Sequence, residues 1–161
     1  MLEFHVHAPG QASVYLSDES ATLDLGAHLA RALSSRLIVY LRGELGAGKT
    51  TLARGVLRGL GYAGRVKSPT FTLVEVYQLS SLYLHHFDFY RFKDPNEWVD
   101  AGFRETLGAD HVCLIEWPEK VGALLPAADL ELTLEHEDAG RRARLLATSP
   151  AGIECLRQII A

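Results

Sequence analysis

Lysine is scarce in this 161-residue chain, which carries only four lysines among sixteen basic residues. Cysteine is scarcer still. Cys113 and Cys155 stand apart in apolar stretches and form neither a C-x-x-C pair nor a zinc-ligand spacing, which excludes a disulfide framework and leaves two reduced core thiols as the expectation. No apolar run approaches the roughly 20 residues that span a bilayer, and the N-terminus lacks a leader of basic, apolar and small residues. Membrane insertion and secretion are therefore not expected, and a cytoplasmic location is. A formal net charge of −4 argues against a broad electrostatic platform for nucleic acid, although local patches survive any net charge. Repeats, low-complexity tracts and linkers rich in Pro, Gly or Ser are also missing, so residues 1–161 read as one domain. With 48% hydrophobic and 22% charged residues, the chain has the composition of a globular protein large enough to bury a core without staples.

Against that scarcity, one lysine falls in Gly43-Glu44-Leu45-Gly46-Ala47-Gly48-Lys49-Thr50, followed by Thr51. This is a complete G-x-x-x-x-G-K-T phosphate-binding loop. The β-branched apolar run Leu37 to Leu41 before it predicts a buried strand, and Thr50 to Leu60 predicts a helix with Leu52, Val56, Leu57 and Leu60 on one face. In that setting the glycines let successive backbone N–H groups point at phosphate oxygens, and the helix adds the positive end of its dipole. Lys49 would reach the outer phosphates and the Thr50 hydroxyl would ligate Mg²⁺. A Gly-rich turn with no ligand would account for Gly43, Gly46 and Gly48 but for neither Lys49 nor Thr50.

Three further residues have chemistry to offer. Val112 to Ile115 reads as a buried parallel strand with Glu116 at its C-terminal tip, where ligands bind in open α/β sheets; there Glu116 would hold Mg²⁺ or orient a water, or else be an exposed strand-end charge. Asp88 shares a strand face with Leu84 and His86 and needs a partner, for which Mg²⁺, a water or Arg91 would serve, as would a structural ion pair. His85 and His86 point to opposite faces, which discounts a transition-metal site. Thr70, after Ser68-Pro69, is either a switch hydroxyl that contacts Mg²⁺ or the γ-phosphate, or the opening of a strand. Spacing alone leaves these choices open.

Elsewhere the patterning predicts an N-terminal edge strand with Leu2, Phe4 and Val6 inward. A helix capped by Ser17 follows, with Leu25, Leu29 and Leu33 on its apolar face. Strands over Phe71 to Tyr77 and Leu82 to Phe89 form a hairpin about Leu79 to Ser81, and Asp94-Pro95 starts a helix with Trp98 and Ala101 inward. A C-terminal hairpin, Asp129 to Glu135 and Arg141 to Ala147, precedes a helix around Ile153 to Ile160. Of Arg141, Arg142 and Arg144, two belong to a solvated hairpin tip and one has the reach to touch nucleotide or a partner.

Four segments in order, the phosphate loop, Val66-Lys67-Ser68-Pro69-Thr70-Phe71, His86-Phe87-Asp88-Phe89-Tyr90-Arg91 and Leu114-Ile115-Glu116-Trp117-Pro118-Glu119, together resemble the bacterial TsaE family, also called YjeE. The resemblance runs from the helix near Thr22 through the C-terminal hairpin. It implies an α/β fold of P-loop NTPase type, three-layered, with a mixed, mainly parallel sheet and antiparallel additions. It also implies a Mg²⁺-dependent ATPase of low intrinsic turnover required for N6-threonylcarbamoyladenosine modification of tRNA. Such a protein acts with TsaD and TsaB as partners, meets tRNA only through that complex and has no membrane role. Carried onto matching positions, Lys49 would grip the phosphates, Thr50 and Glu116 would ligate Mg²⁺, Asp88 would act near the γ-phosphate or its water, and Thr70 falls in a switch-like loop. ATP is expected over GTP by the same resemblance and because no N-K-x-D guanine signature is present. A small-molecule kinase is the alternative from another class, and would need an arginine-rich lid between the Asp88 and Glu116 elements; a nucleotide-gated binding module without turnover is a third.

Overall fold

The computed structural model describes residues 1–33, 36–108 and 110–161. An eight-stranded sheet forms its middle. The strands are β1 (Phe4–Ala8), β2 (Gln11–Leu16), β3 (Leu37–Arg42), β4 (Val74–Gln78), β5 (Tyr83–Asp88), β6 (Val112–Glu116), β7 (Leu130–Glu137) and β8 (Gly140–Ala147), in the order β1-β2-β8-β7-β3-β6-β5-β4. Parallel pairing is confined to the four central strands, β7-β3-β6-β5. The pairs joined by short turns, β1–β2, β4–β5 and β7–β8, run antiparallel, because only a long crossover can bring consecutive strands into parallel register, and β2 joins β8 antiparallel as well.

The innermost strands β3 and β6 are apolar on both sides, as a doubly covered sheet requires, whereas β7 alternates buried Leu130, Leu132 and Leu134 with polar residues. In β3, Leu37, Val39 and Leu41 face the helices α1 (Glu19–Ala32), α2 (Lys49–Gly59) and α5 (Pro150–Ile160), where they pack with Leu25, Leu29, Leu52, Val56 and Leu57. Ile38 and Tyr40 face the other way, into a cluster with Phe87, Phe89, Trp98 and Ile115 beneath the short helices α3 (Asn96–Asp100) and α4 (Arg104–Gly108). The same alternation decides the site. Leu84 and Leu114 belong to the α1/α2 face, so His86 and Asp88 on β5 and Glu116 on β6 project to that face as well.

Local chemistry shifted several expected boundaries. The cap of α1 is Asp18, extended at φ −156, whose carboxylate accepts from the Ala21 amide at 2.9 Å; Ser17 lies outside, since an ionised acceptor holds the orphan amides more strongly. Strand β4 starts at Val74 rather than Phe71, because Leu73 takes a positive φ of 70 and its N–H turns back to the Pro69 carbonyl at 2.7 Å. In β1, Val6 is 62% exposed instead of inward, and the β1–β2 register shifts between Val6 and Ala8. Ala101 is exposed, beyond the end of α3, and Trp98 alone anchors that helix. No described helix is long and apolar enough to cross a membrane.

Candidate active site

Three strand ends and one helix start meet at the C-terminal edge of the central sheet. The parallel register sets Leu41 and Asp88 on either side of Glu116, so the loop leaving β3 passes over two carboxylates before it enters α2. Gly43, Gly46 and Gly48 have φ values of +147, +79 and +107, which side chains with a Cβ rarely adopt. At Gly43 a Cβ would also lie 2.6 Å from the Leu134 carbonyl oxygen, so the loop can lie against β7 only with glycine there. From β8, Arg141 donates to the carbonyls of Ala47 and Gly46, both at 3.1 Å, and fixes the loop from its outer side.

Lys49, the first residue of α2, is buried. Its Nζ donates to the Gly43 carbonyl and lies 3.6 Å from the centroid of the Trp117 ring. Burial pushes the ammonium pKa down, while Glu116, Glu119 and Asp88 act in the opposite direction. Trp117 itself takes a left-handed backbone, φ 57. Next to Lys49, the Thr50 hydroxyl donates to Glu116 Oε2 at 3.3 Å, and the same oxygen meets His86 Nε2 at 2.6 Å. Asp88 accepts from the Thr70 hydroxyl at 3.1 Å and from the Tyr90 amide at 2.8 Å. Burial raises the Asp88 carboxyl above the usual range; the Tyr90 bond opposes this and the charge of Glu116 adds to it.

Lys49, Thr50, Thr51, Thr70, Asp88 and Glu116 thus line one cleft of about 380 Å³, with Leu45, Gly46, Gly48 and Trp117 completing its loop side. A second cleft of about 310 Å³ opens over Asp18, Thr22, Ala47, Thr51 and Arg141. Gly43 and Glu44 face away, into a third cleft beyond Trp117 shared with Glu119. Hard oxygen donors, the Thr50 hydroxyl and the Glu116 carboxylate, beside a second buried carboxylate make a fitting set for a divalent cation. Among the described residues no group of three or more His, Cys, Asp or Glu forms a metal cage; an ion such as Mg²⁺ takes one or two carboxylates and completes its shell with water and phosphate.

A family model described as threonylcarbamoyl adenosine biosynthesis protein TsaE matches residues 16–144. The chain belongs to the TsaE family. It is 43% identical over 143 residues to the tRNA threonylcarbamoyladenosine biosynthesis protein TsaE of Haemophilus influenzae, covering 86% of this chain and 90% of that one. It is 38% identical to the TsaE of Rickettsia felis over 128 residues, 79% of this chain and 74% of the other. The crystal structure of Bacillus subtilis YdiB superposes with a TM-score of 0.80 at 25% identity, covering 99% of this chain and 95% of that one.

Within this TsaE chain the structure brings together in the first cleft the residues singled out by motif except Gly43 and Glu44, which sit at the loop's far side, and Ala47, which lines the second cleft. Arg91 is not the partner of Asp88: its guanidinium lies over the Phe71 ring, 4.6 Å from the centroid. Of the three C-terminal arginines, Arg142 pairs with Glu137 and Arg144 with Glu135, and Arg141 is the one that reaches the phosphate loop. His86 and Tyr90 were not legible as site residues. The sequence placed His86 on the strand face of Asp88 and both residues in the segment around it, but the carboxylate that His86 meets lies on a different strand.

Proposed function

We propose that this protein is a single P-loop ATPase domain of the cytoplasm that binds ATP with Mg²⁺ in this cleft and hydrolyses it slowly alone. We further infer that it acts with TsaD and TsaB in N6-threonylcarbamoyladenosine modification of tRNA, meeting tRNA through that complex. The observation that carries the ATPase reading is the convergence of Lys49, Thr50, Asp88 and Glu116 on one cleft at the start of a phosphate-loop helix. The pathway rests on the relatives' descriptions.

In this reading the amides of Gly46 to Thr51 and the α2 N-terminus hold the phosphates, and Lys49 exchanges the Gly43 carbonyl and the Trp117 face for outer phosphate oxygens. Thr50 and Glu116 would hold Mg²⁺, which when bound neutralises charge on the phosphate oxygens. Asp88, with acceptor capacity left beyond Tyr90 and Thr70, orients the attacking water. Thr70 is tied to Asp88 and to Ser68, whose hydroxyl lies 2.8 Å away, so its release or re-engagement couples the Ser68–Phe71 loop to the nucleotide. The cleft over Asp18, Thr22 and Arg141 leaves room for base and sugar. The kinase alternative lacks support, because Arg91 lies on Phe71 and Arg104 over Trp98, and neither covers the cleft.

Thermal-shift titration tests the site. At one hundred times Kd, ATP with Mg²⁺ adds about 2.7 kcal/mol to wild-type stability, and Lys49→Ala removes that gain. An equal ATP-dependent gain in Lys49→Ala would place the nucleotide elsewhere.

A further inference from the structure

Among the described residues, both hydrogen-bond contacts of the Glu116 carboxylate fall on Oε2, one from the Thr50 hydroxyl at 3.3 Å and one with His86 Nε2 at 2.6 Å. His86 has no exposed surface, and its other ring nitrogen, Nδ1, is buried with no hydrogen-bond partner among the described residues. Burying an imidazole that is satisfied on one side only is unfavourable. The satisfied side shows what the ring is for. With the proton on Nδ1, a bare Nε2 lone pair would face a carboxylate oxygen across 2.6 Å, which is repulsive; with the proton on Nε2 the contact becomes a short hydrogen bond to an acidic acceptor.

The fold places this ring with few alternatives. His86 pairs with Leu114 across β5 and β6, one pleat back from the Asp88–Glu116 pair, so it lies beneath both carboxylates on the face that α2 covers. Asp88 is held by other groups, Tyr90 and Thr70. Among the described residues, the hydrogen-bond contact of His86 is with Glu116 and not with Asp88.

We propose that His86 is a positioning residue: its Nε2–H, donated to Glu116 Oε2, holds the carboxylate against the Thr50 hydroxyl and so preassembles the pair for a divalent cation. This rests on the Mg²⁺–nucleotide reading above. Without the donor, the Glu116 side chain is free to leave Thr50, and the cation site must be organised at the moment of binding. Outer groups that orient a ligating carboxylate are typically worth about 10- to 100-fold in metal affinity.

The test measures the Mg²⁺ midpoint for stabilisation of the ADP-saturated protein, alongside the stabilisation by ADP in EDTA. His86→Leu, which fills the space without a donor, raises the Mg²⁺ midpoint by about tenfold or more and leaves the ADP shift in EDTA unchanged. His86→Gln, whose amide nitrogen reaches the place of Nε2, returns the midpoint towards wild type. Should His86→Leu not fold, His86→Asn keeps a polar side chain too short to span to Glu116 and shows the same rise. A midpoint unchanged in the donor-less variants, or raised as much in His86→Gln, overturns the role and leaves His86 as packing. A wild type whose ADP stabilisation ignores Mg²⁺ altogether overturns the cofactor reading and the His86 role with it.

Discussion

Asp88 and Glu116 are both almost fully buried at adjoining strand tips, yet their neighbours divide the work between them. Glu116 is tied to the helix of the phosphate loop through Thr50, and Asp88 to the segment after β5 and the Thr70 loop through Tyr90 and Thr70. In the proposed reading loop amides and Lys49 supply most of the phosphate grip, so Glu116→Gln and Asp88→Asn are expected to lower the hydrolysis rate by about 100-fold or more while changing nucleotide affinity far less. Parallel rate and affinity measurements check this, and equal losses in both would reduce the pair to binding groups. Asp88 also carries a pH signature. Because its carboxyl pKa is raised in the fold, chiefly by burial, the native state binds that proton more tightly than the unfolded chain does. Stability from this group is present at acid pH and is lost as pH rises from the unfolded value through the higher folded one. Asp88→Asn accordingly gains on wild type at neutral pH in the nucleotide-free protein. The carboxylates themselves were readable as strand-end residues, whereas the Tyr90 amide and the Thr70 hydroxyl depend on how the chain turns after each strand.

At the scale of elements, α1 and α2 approach closely through glycine. A Cβ on Gly55 would lie 2.5 Å from the Leu23 carbonyl oxygen, and one on Gly26 would lie 2.6 Å from that of Leu52. Backbone cannot yield as a flexible side chain does, so Gly55→Ala destabilises the protein by about 1–3 kcal/mol, read from chemical denaturation. An unchanged midpoint would mean that the helices slide apart without cost. This crossing sets where the N-terminus of α2, and hence Lys49 and Thr50, stands above the strand tips. The strand and helix around the phosphate loop were legible because β3 is an unbroken apolar run and α2 repeats its leucines and valine at helical spacing. The start of β4 was not, since Phe71 and Thr72 have good strand propensity and only the backward turn at Leu73 removes them. The cap of α1 was misplaced by one residue because Ser17 and Asp18 both satisfy the pattern, and the carboxylate wins by its stronger acceptor. Glycine at positions 26 and 55 gave no readable signal, as close helix contact leaves no mark on periodicity.

Over the whole molecule, the sheet divides the core into an α1/α2/α5 face that carries the site and an α3/α4 face that is packing. The parallel centre was implied by strand-loop-helix order, and the flanking antiparallel strands by their short turns. The placing of β7 between β3 and β8 needed the structure, because nothing local in Leu130 to Glu137 names its neighbours. The switch-like loop stands at the edge of the cleft with Phe71 81% exposed and the Arg91 guanidinium over its ring. In the proposed reading a loop tip so exposed leaves the attacking water poorly fixed, and phosphoryl transfer depends on that fixing. With a net charge of −4, independent capture of tRNA is the weaker source of order. In the proposed reading a protein partner docking at Thr70 and Phe71 would be the stronger one, and nucleotide and partner would then bias the same element. The most direct measurement is steady-state ATP hydrolysis with TsaD, TsaB and tRNA added singly and together. The account predicts slow turnover alone, acceleration by the TsaD–TsaB complex and no acceleration by tRNA alone; strong stimulation by tRNA alone, or phosphate transfer to a small hydroxyl-bearing metabolite, would contradict it.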